Sequence, residues 1–220
     1  MLRLSCLIVS AALVALAGCS DDKKEPAAAT SSSLPETTAT TAETTTTTTA
    51  PTTTTAPGLS EESRLRFDGI GPIKIFMTLA EATAAVGKPV KVDPSYVADG
   101  CAYAEVEGGP VGLAFMVNRE KETDPWLIVR TDVSKGMNAT VSGIRVGATE
   151  ADVKATYGGS GKSGQLTVDT HPYTAPEGHY MIYDADGKGG TLLIFETDGK
   201  KVLSFRAGDE GAVQAIEGCA

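Results

Sequence analysis

Between Thr30 and Pro57, 15 of 28 residues are threonine, with Pro35, Pro51 and Pro57 set among them. There is no aromatic residue here and a single leucine, Leu34. Such a stretch has nothing to bury against the entropy of ordering its backbone. It reads as a stalk, and a fold must come from the residues C-terminal to it. The 38 residues from Ser20 to Pro57 would span ~120 Å as polyproline or ~34 Å as a flexible coil. The 161 residues from 60 to 220 remain, enough for one medium domain or two small ones. With 19 Lys+Arg against 28 Asp+Glu the net charge is -9. The region has no run of basic residues, which argues against a nucleic-acid partner.

The N-terminus predicts export. Met1-Leu2-Arg3 precedes an apolar run from Leu4 to Gly18. As a helix that run rises only ~23 Å, short of a hydrocarbon core of ~30 Å, so it reads as a signal sequence. It ends in Leu16-Ala17-Gly18-Cys19, followed by Ser20-Asp21-Asp22. This motif resembles the lipobox of bacterial lipoproteins. The resemblance implies that Cys19 is the first mature residue and carries a lipid. The protein would then be anchored through Cys19 to the outer face of the cytoplasmic membrane, with its folded region in the wall space or outside the cell. The expected division is a signal over 1–18, a lipidated N-terminus and stalk over 19–59, and two units over 60–140 and 141–220. Cys6 leaves with the signal and Cys19 takes the lipid. Cys101 and Cys219 remain, and outside the cytoplasm a disulfide is the simplest use of that pair.

The folded region repeats itself. Ile73-Lys74-Ile75-Phe76-Met77-Thr78-Leu79-Ala80-Glu81-Ala82 runs on to Val86-Gly87, and 71 residues later Ile144-Arg145-Val146-Gly147-Ala148-Thr149-Glu150-Ala151-Asp152-Val153 runs on to Tyr157-Gly158. Thr78 and Thr149 suit helix N-caps, with Glu81 and Asp152 placed to complete capping boxes. Gly87 and Gly158 fall where a left-handed residue ends a helix. Beyond each helix the pattern alternates. Strands are expected at Cys101–Val106, Val111–Val117 and Trp126–Val133, then at His179–Asp184, Thr191–Glu196 and Lys201–Ala207. The expected fold class is α+β, as two tandem units, each a short helical segment packed on a small antiparallel sheet. The pattern of [Ile/Val]-x-[Ile/Val]-Gly-[Met/Ala]-Thr before a capped helix resembles the β-lactamase-inhibitory proteins and small outer-membrane-assembly lipoproteins. The first copy departs from it, with Phe76 where glycine is expected. The region is also similar to exported actinobacterial proteins of unknown function.

Catalytic chemistry finds little support. His171 and His179 are the only histidines, and their spacing matches no familiar metal motif. No Gly-x-Ser-x-Gly elbow is present. Asp184-Ala185-Asp186-Gly187 begins like a calcium loop, but the position for its closing glutamate holds Phe195; a hairpin turn is the better reading. Gly158-Gly159-Ser160-Gly161-Lys162-Ser163 has Thr156 where a phosphate loop needs glycine. Asn138-Ala139-Thr140 matches a glycosylation sequon. The expectation is therefore a non-enzymatic surface lipoprotein without metal or cofactor, binding an envelope protein or wall component. An assembly factor, an inhibitor of a β-lactamase or related wall enzyme, and a hydrolase are the alternatives. Strict strand alternation puts Trp126, Ile128 and Arg130 on one sheet face with Val202, Ser204 and Arg206. Trp and Arg are hot-spot residues, so this is the candidate binding face, unless the sheets or the C-terminal tail bury it.

Overall fold

The computed structural model describes residues 58–219 apart from Lys162, Ala175 and the side chain of Tyr96. Cys19, the stalk and the proposed signal lie outside the described residues. In chain order the elements are β1 (Arg64–Arg66), β2 (Gly69–Ile70), β3 (Ile73–Lys74), α1 (Leu79–Val86), β4 (Val90–Val92), β5 (Cys101–Val106), β6 (Leu113–Asn118) and β7 (Leu127–Val133). Then come β8 (Ala139–Thr140), α2 (Glu150–Tyr157), β9 (Gln165–Thr170), β10 (His179–Asp184), β11 (Thr191–Thr197), β12 (Val202–Asp209) and α3 (Glu210–Gln214). No described helix is long and apolar enough to cross a membrane.

The expected α+β class is overturned. Twelve strands form a four-stranded and an eight-stranded sheet, and 40% of the described residues are strand against 14% helix. Nor does each half own a sheet. The large sheet runs β4-β5-β6-β7-β12-β11-β10-β9, with all neighbours antiparallel. The join is the pairing of β7 with β12, from Phe205 opposite Val133 to Gly208 opposite Arg130. Two separate small sheets would each expose an unpaired edge there; pairing the edges removes both. The small sheet, β3-β2-β1-β8, closes with β1 parallel to β8.

One face of the large sheet carries the main core. Ala102, Ala104, Phe115, Val117, Ile128, Met181, Phe195 and Phe205 are at most 1% exposed. They share one cluster with Ala82 and Val86 of α1, Val153 and Tyr157 of α2, and Leu65, Ile70 and Ile73 of the small sheet. Both helices start as the cap signals predict: Thr78 and Thr149 each complete a capping box, with Glu81 and Asp152. Their ends differ. Gly87 is left-handed at φ 69°, whereas Gly158 is extended, and a Cβ at Gly158 would sit 2.7 Å from the Lys154 carbonyl oxygen.

The two halves match in backbone detail. Phe76 N–H donates to the Ile128 carbonyl, and Gly147 N–H to that of Val202. Leu79 N–H donates to the Trp126 carbonyl, and Glu150 N–H to that of Lys200. Phe76 and Gly147 are both left-handed, at φ 69° and 86°. The glycine missing from the first copy is thus replaced by a phenylalanine held in the glycine conformation.

Candidate functional site

A β-bulge breaks the alternation on which the sequence-based face rested. Met116 faces Arg130 while Val117 faces Ile128, so Val129 and Arg130 together oppose one residue of β6. The same shift recurs in β12, where Ser204 faces Glu196 and Val202 faces Thr197, leaving Leu203 extra. After a bulge the side-chain phase resets. Ile128 and Val202 therefore point into the main core, at 0% and 1% exposure. Arg130, Ser204 and Arg206 lie on the opposite face. Trp126 is half-buried against the core, with the Arg119 guanidinium 4.2 Å above its ring. The six residues do not share a face.

That opposite face is not open where the arginines stand, because the C-terminal segment lies across it. Asp209 caps α3 by accepting from Gly211 and Ala212 N–H. The chain then crosses to β5, where Cys219 is disulfide-bonded to Cys101 with Cα atoms 5.3 Å apart. Arg130 is 3% exposed. Its Nη1 donates to the carbonyls of Ala212 (2.7 Å) and Ala215 (3.0 Å), its Nη2 to Tyr103 Oη (2.7 Å), and its Nε to Asp132 (2.9 Å). Arg206 Nε donates to the Val213 carbonyl at 2.7 Å. The last carbonyls of a helix lack intrahelical partners, and the two guanidiniums supply them. Binding-type residues here clamp the protein's own tail.

Glu196 extends the clamp. It accepts from Arg206 Nη1, Ser204 Oγ and His171 Nε2. His171 is 2% exposed, and its Nδ1 accepts the N–H groups of Tyr173 and Thr174, which places the ring proton on Nε2. A loop position for His171 is right; its burial is what sequence reasoning missed. Burial pushes the Asp132 carboxyl up, outweighing the Arg130 guanidinium beside it. The Tyr103 hydroxyl is likewise pushed up by burial, against the pull of Arg130.

The second polar cluster lies at the start of α2. Glu150 is 7% exposed and its Oε1 accepts from His179 Nδ1 and Thr197 Oγ1, both at 2.6 Å, while Lys154 reaches Oε2 at 3.3 Å. Burial pushes this carboxyl up, but the three hydrogen bonds outweigh it and hold it below the usual range. The carboxylate orients the imidazole through its Nδ1. The described residues contain no group of three or more His, Cys, Asp or Glu that could hold a metal ion.

A groove of about 490 Å³ lies on this sheet between the 108–112 loop and Lys135. Its floor is a row across the sheet: Glu105 on β5, Ala114 on β6 and Asp132 on β7, the last two directly opposed. A methyl group between two acidic side chains leaves a hollow. Ser134 and Lys135 close one wall. Carboxylates, a hydroxyl and an ammonium around a hollow offer hydrogen bonds and charge, which is recognition chemistry. The sequon and the acidic turn are structural. Asn138 is 1% exposed, and its amide donates to the carbonyls of Ser60, Glu61 and Ser63; Asp184 accepts the N–H groups of Asp186, Gly187 and Gly189 as a turn residue. No protein-family model, curated protein or solved structure matches the chain.

Proposed function

We propose that this is an exported, lipid-anchored, non-enzymatic protein that binds a protein or wall component of the cell envelope. The observation that carries this reading is Leu16-Ala17-Gly18-Cys19 at the end of a short apolar run. The Cys101–Cys219 bond suits an oxidising location, and the Thr-rich stretch suits a spacer between anchor and folded region. The groove over Glu105, Ala114 and Asp132 supplies the recognition surface. It favours a ligand presenting amine or hydroxyl groups. The matched hydrogen bonds of the two halves support a duplicated origin of the large sheet.

Mass spectrometry of the native N-terminal peptide tests the anchor: a diacylglyceryl-modified Cys19 is expected, and Cys19→Ala should release the protein into the medium. An unmodified mature chain beginning elsewhere defeats the anchor. Capture of wall fragments and envelope proteins on the full chain tests the site. Glu105→Gln with Lys135→Ala should abolish capture while leaving the melting temperature unchanged. Equal capture by that variant removes the groove from the proposal.

A further inference from the structure

The two edges of the large sheet differ. At one end β4 is three residues long, lies between Pro89 and Pro94, and carries Lys91 paired to Glu107 at 2.7 Å. Short length, proline and lysine are the usual devices against edge-to-edge pairing. At the other end β9 has six residues in unbroken register with β10 and carries no lysine, with Pro172 two residues past its end. Its sequence, Gln165-Leu166-Thr167-Val168-Asp169-Thr170, holds no proline, glycine or lysine, and every residue but Leu166 is exposed.

The free hydrogen-bonding groups of β9 can be assigned. His171 N–H donates to the Gly178 carbonyl, and antiparallel strands bond a given neighbour at alternate residues. Asp169, Thr167 and Gln165 therefore bond towards β10. The N–H and C=O groups of Leu166, Val168 and Thr170 point away from the sheet.

We infer that β9 is a self-association edge that pairs antiparallel with the β9 of a second copy about a two-fold axis through Val168. The register follows from the pattern itself. Val168 faces the Val168 of the other copy, and Leu166 faces its Thr170, so every outward N–H and C=O on the two strands finds a partner. On the other side of the ribbon Asp169, the one charged residue of the strand, faces an uncharged threonine, Thr167, of the second copy. No like charges meet across the pair, and the cross-strand contacts are β-branched or aliphatic. A two-fold interface of this kind is closed, so association stops at a dimer.

Sedimentation velocity of the full chain over a concentration series should show a reversible dimer. Val168→Lys places two ammonium groups opposite each other and should leave only monomer at every concentration. Val168→Pro removes an outward N–H that β10 does not use and should do the same, with the melting temperature of either variant within a few degrees of the parent. Register is read by cysteine. Opposed residues of a hydrogen-bonded pair lie ~5.5 Å apart at Cα, within disulfide reach. Val168→Cys should therefore give a bond between the two introduced thiols in peptide maps, and Thr170→Cys should not. A parent chain that stays monomeric throughout overturns the inference. So does a dimer that survives Val168→Lys, or cross-linking by Thr170→Cys in preference to Val168→Cys, which would mean another register or another surface.

Discussion

Corresponding positions in the two halves of the large sheet carry opposite chemistry. In the first half Leu79 opens α1, and Ala102 and Val117 face each other across β5 and β6. In the second, Glu150 opens α2, and His179 and Thr197 are neighbours across β10 and β11. The backbone bonds that align Leu79 with Glu150 and the bulges that align Val117 with Thr197 make these the same corner of the fold. One version is apolar and needs nothing from its members beyond their volume. The other is a carboxylate, an imidazole and a hydroxyl, each satisfied by the next. A buried corner accepts either set whole; a mixed set strands a polar group.

The C-terminal segment ties the outer faces of the two halves together: Val213 packs with Tyr180, Leu192 and Ile194 of the second half, Ala212 with Met116 and Val129 of the first, and Cys219 is bonded to Cys101 on β5. Cys219→Ser should give the largest loss. The bond spans 118 residues, and closing a loop of that order stabilises by about 4.7 kcal/mol on the chain-entropy model. A urea titration of the full chain should show the drop. A variant that unfolds at the parent midpoint would mean that Arg130 and Arg206 hold the tail by themselves.

Exchanging the corner comes next. Glu150→Leu copies the first-half residue but leaves the His179 and Thr197 donors without their acceptor, at a cost of about 2 kcal/mol. Adding His179→Ala and Thr197→Val completes the apolar set and should recover most of that loss, so the three changes are strongly non-additive. Acid sharpens the contrast. The Glu150 carboxyl titrates below its usual range when folded, so its stabilisation is present above the unfolded value and fades as pH falls through the folded one. Asp132 has the opposite sign: burial raises it, so its contribution is greatest below the unfolded value and is lost as pH rises through the folded one. Glu150→Gln should therefore flatten the acid limb of a stability–pH curve, and Asp132→Asn should flatten the loss on its rising side. If both variants changed the same limb, these opposite signs would be wrong.

The elements were largely legible in the sequence, and their assembly was not. Cap residues mark both helices, and alternation marks six of the eight strands of the large sheet, because each signal is local. β4 and β9 were missed for different reasons: β4 is very short, and in β9 only Leu166 turns partly into the core, so neither shows a buried alternation. Joining two small sheets into one depends on β7 meeting β12 across the chain, which no local pattern encodes. The binding face failed through one residue per strand. An extra residue at Val129 or Leu203 leaves the composition of a strand unchanged and resets which side chains look inward. The cysteine pair was readable because Cys101 and Cys219 are the two cysteines of the region expected to fold. Glu150 was not, since an acid in the first turn of a helix is ordinary and nothing nearby in sequence announces Thr197 or His179.

The smallest predicted effect tests the match between the halves at its weakest point. Phe76 and Gly147 occupy corresponding left-handed positions, and a side chain there costs about 1–2 kcal/mol relative to the right-handed region. Phe76 is 58% exposed, so burial returns little of that cost. Phe76→Gly should relieve the strain, less the extra freedom that glycine gives the unfolded chain, for a net gain of about 0.5–1 kcal/mol. Gly147→Ala meets no atom within 4 Å of its new Cβ, so its loss of about 1 kcal/mol would be conformational alone. Paired thermal melts should move in opposite directions. A melting temperature that fell for Phe76→Gly would show that the ring contributes more than the strain removes. The hollow that Phe76 lines with Asn118, Arg119 and Leu127 would then be the place to look for what it touches.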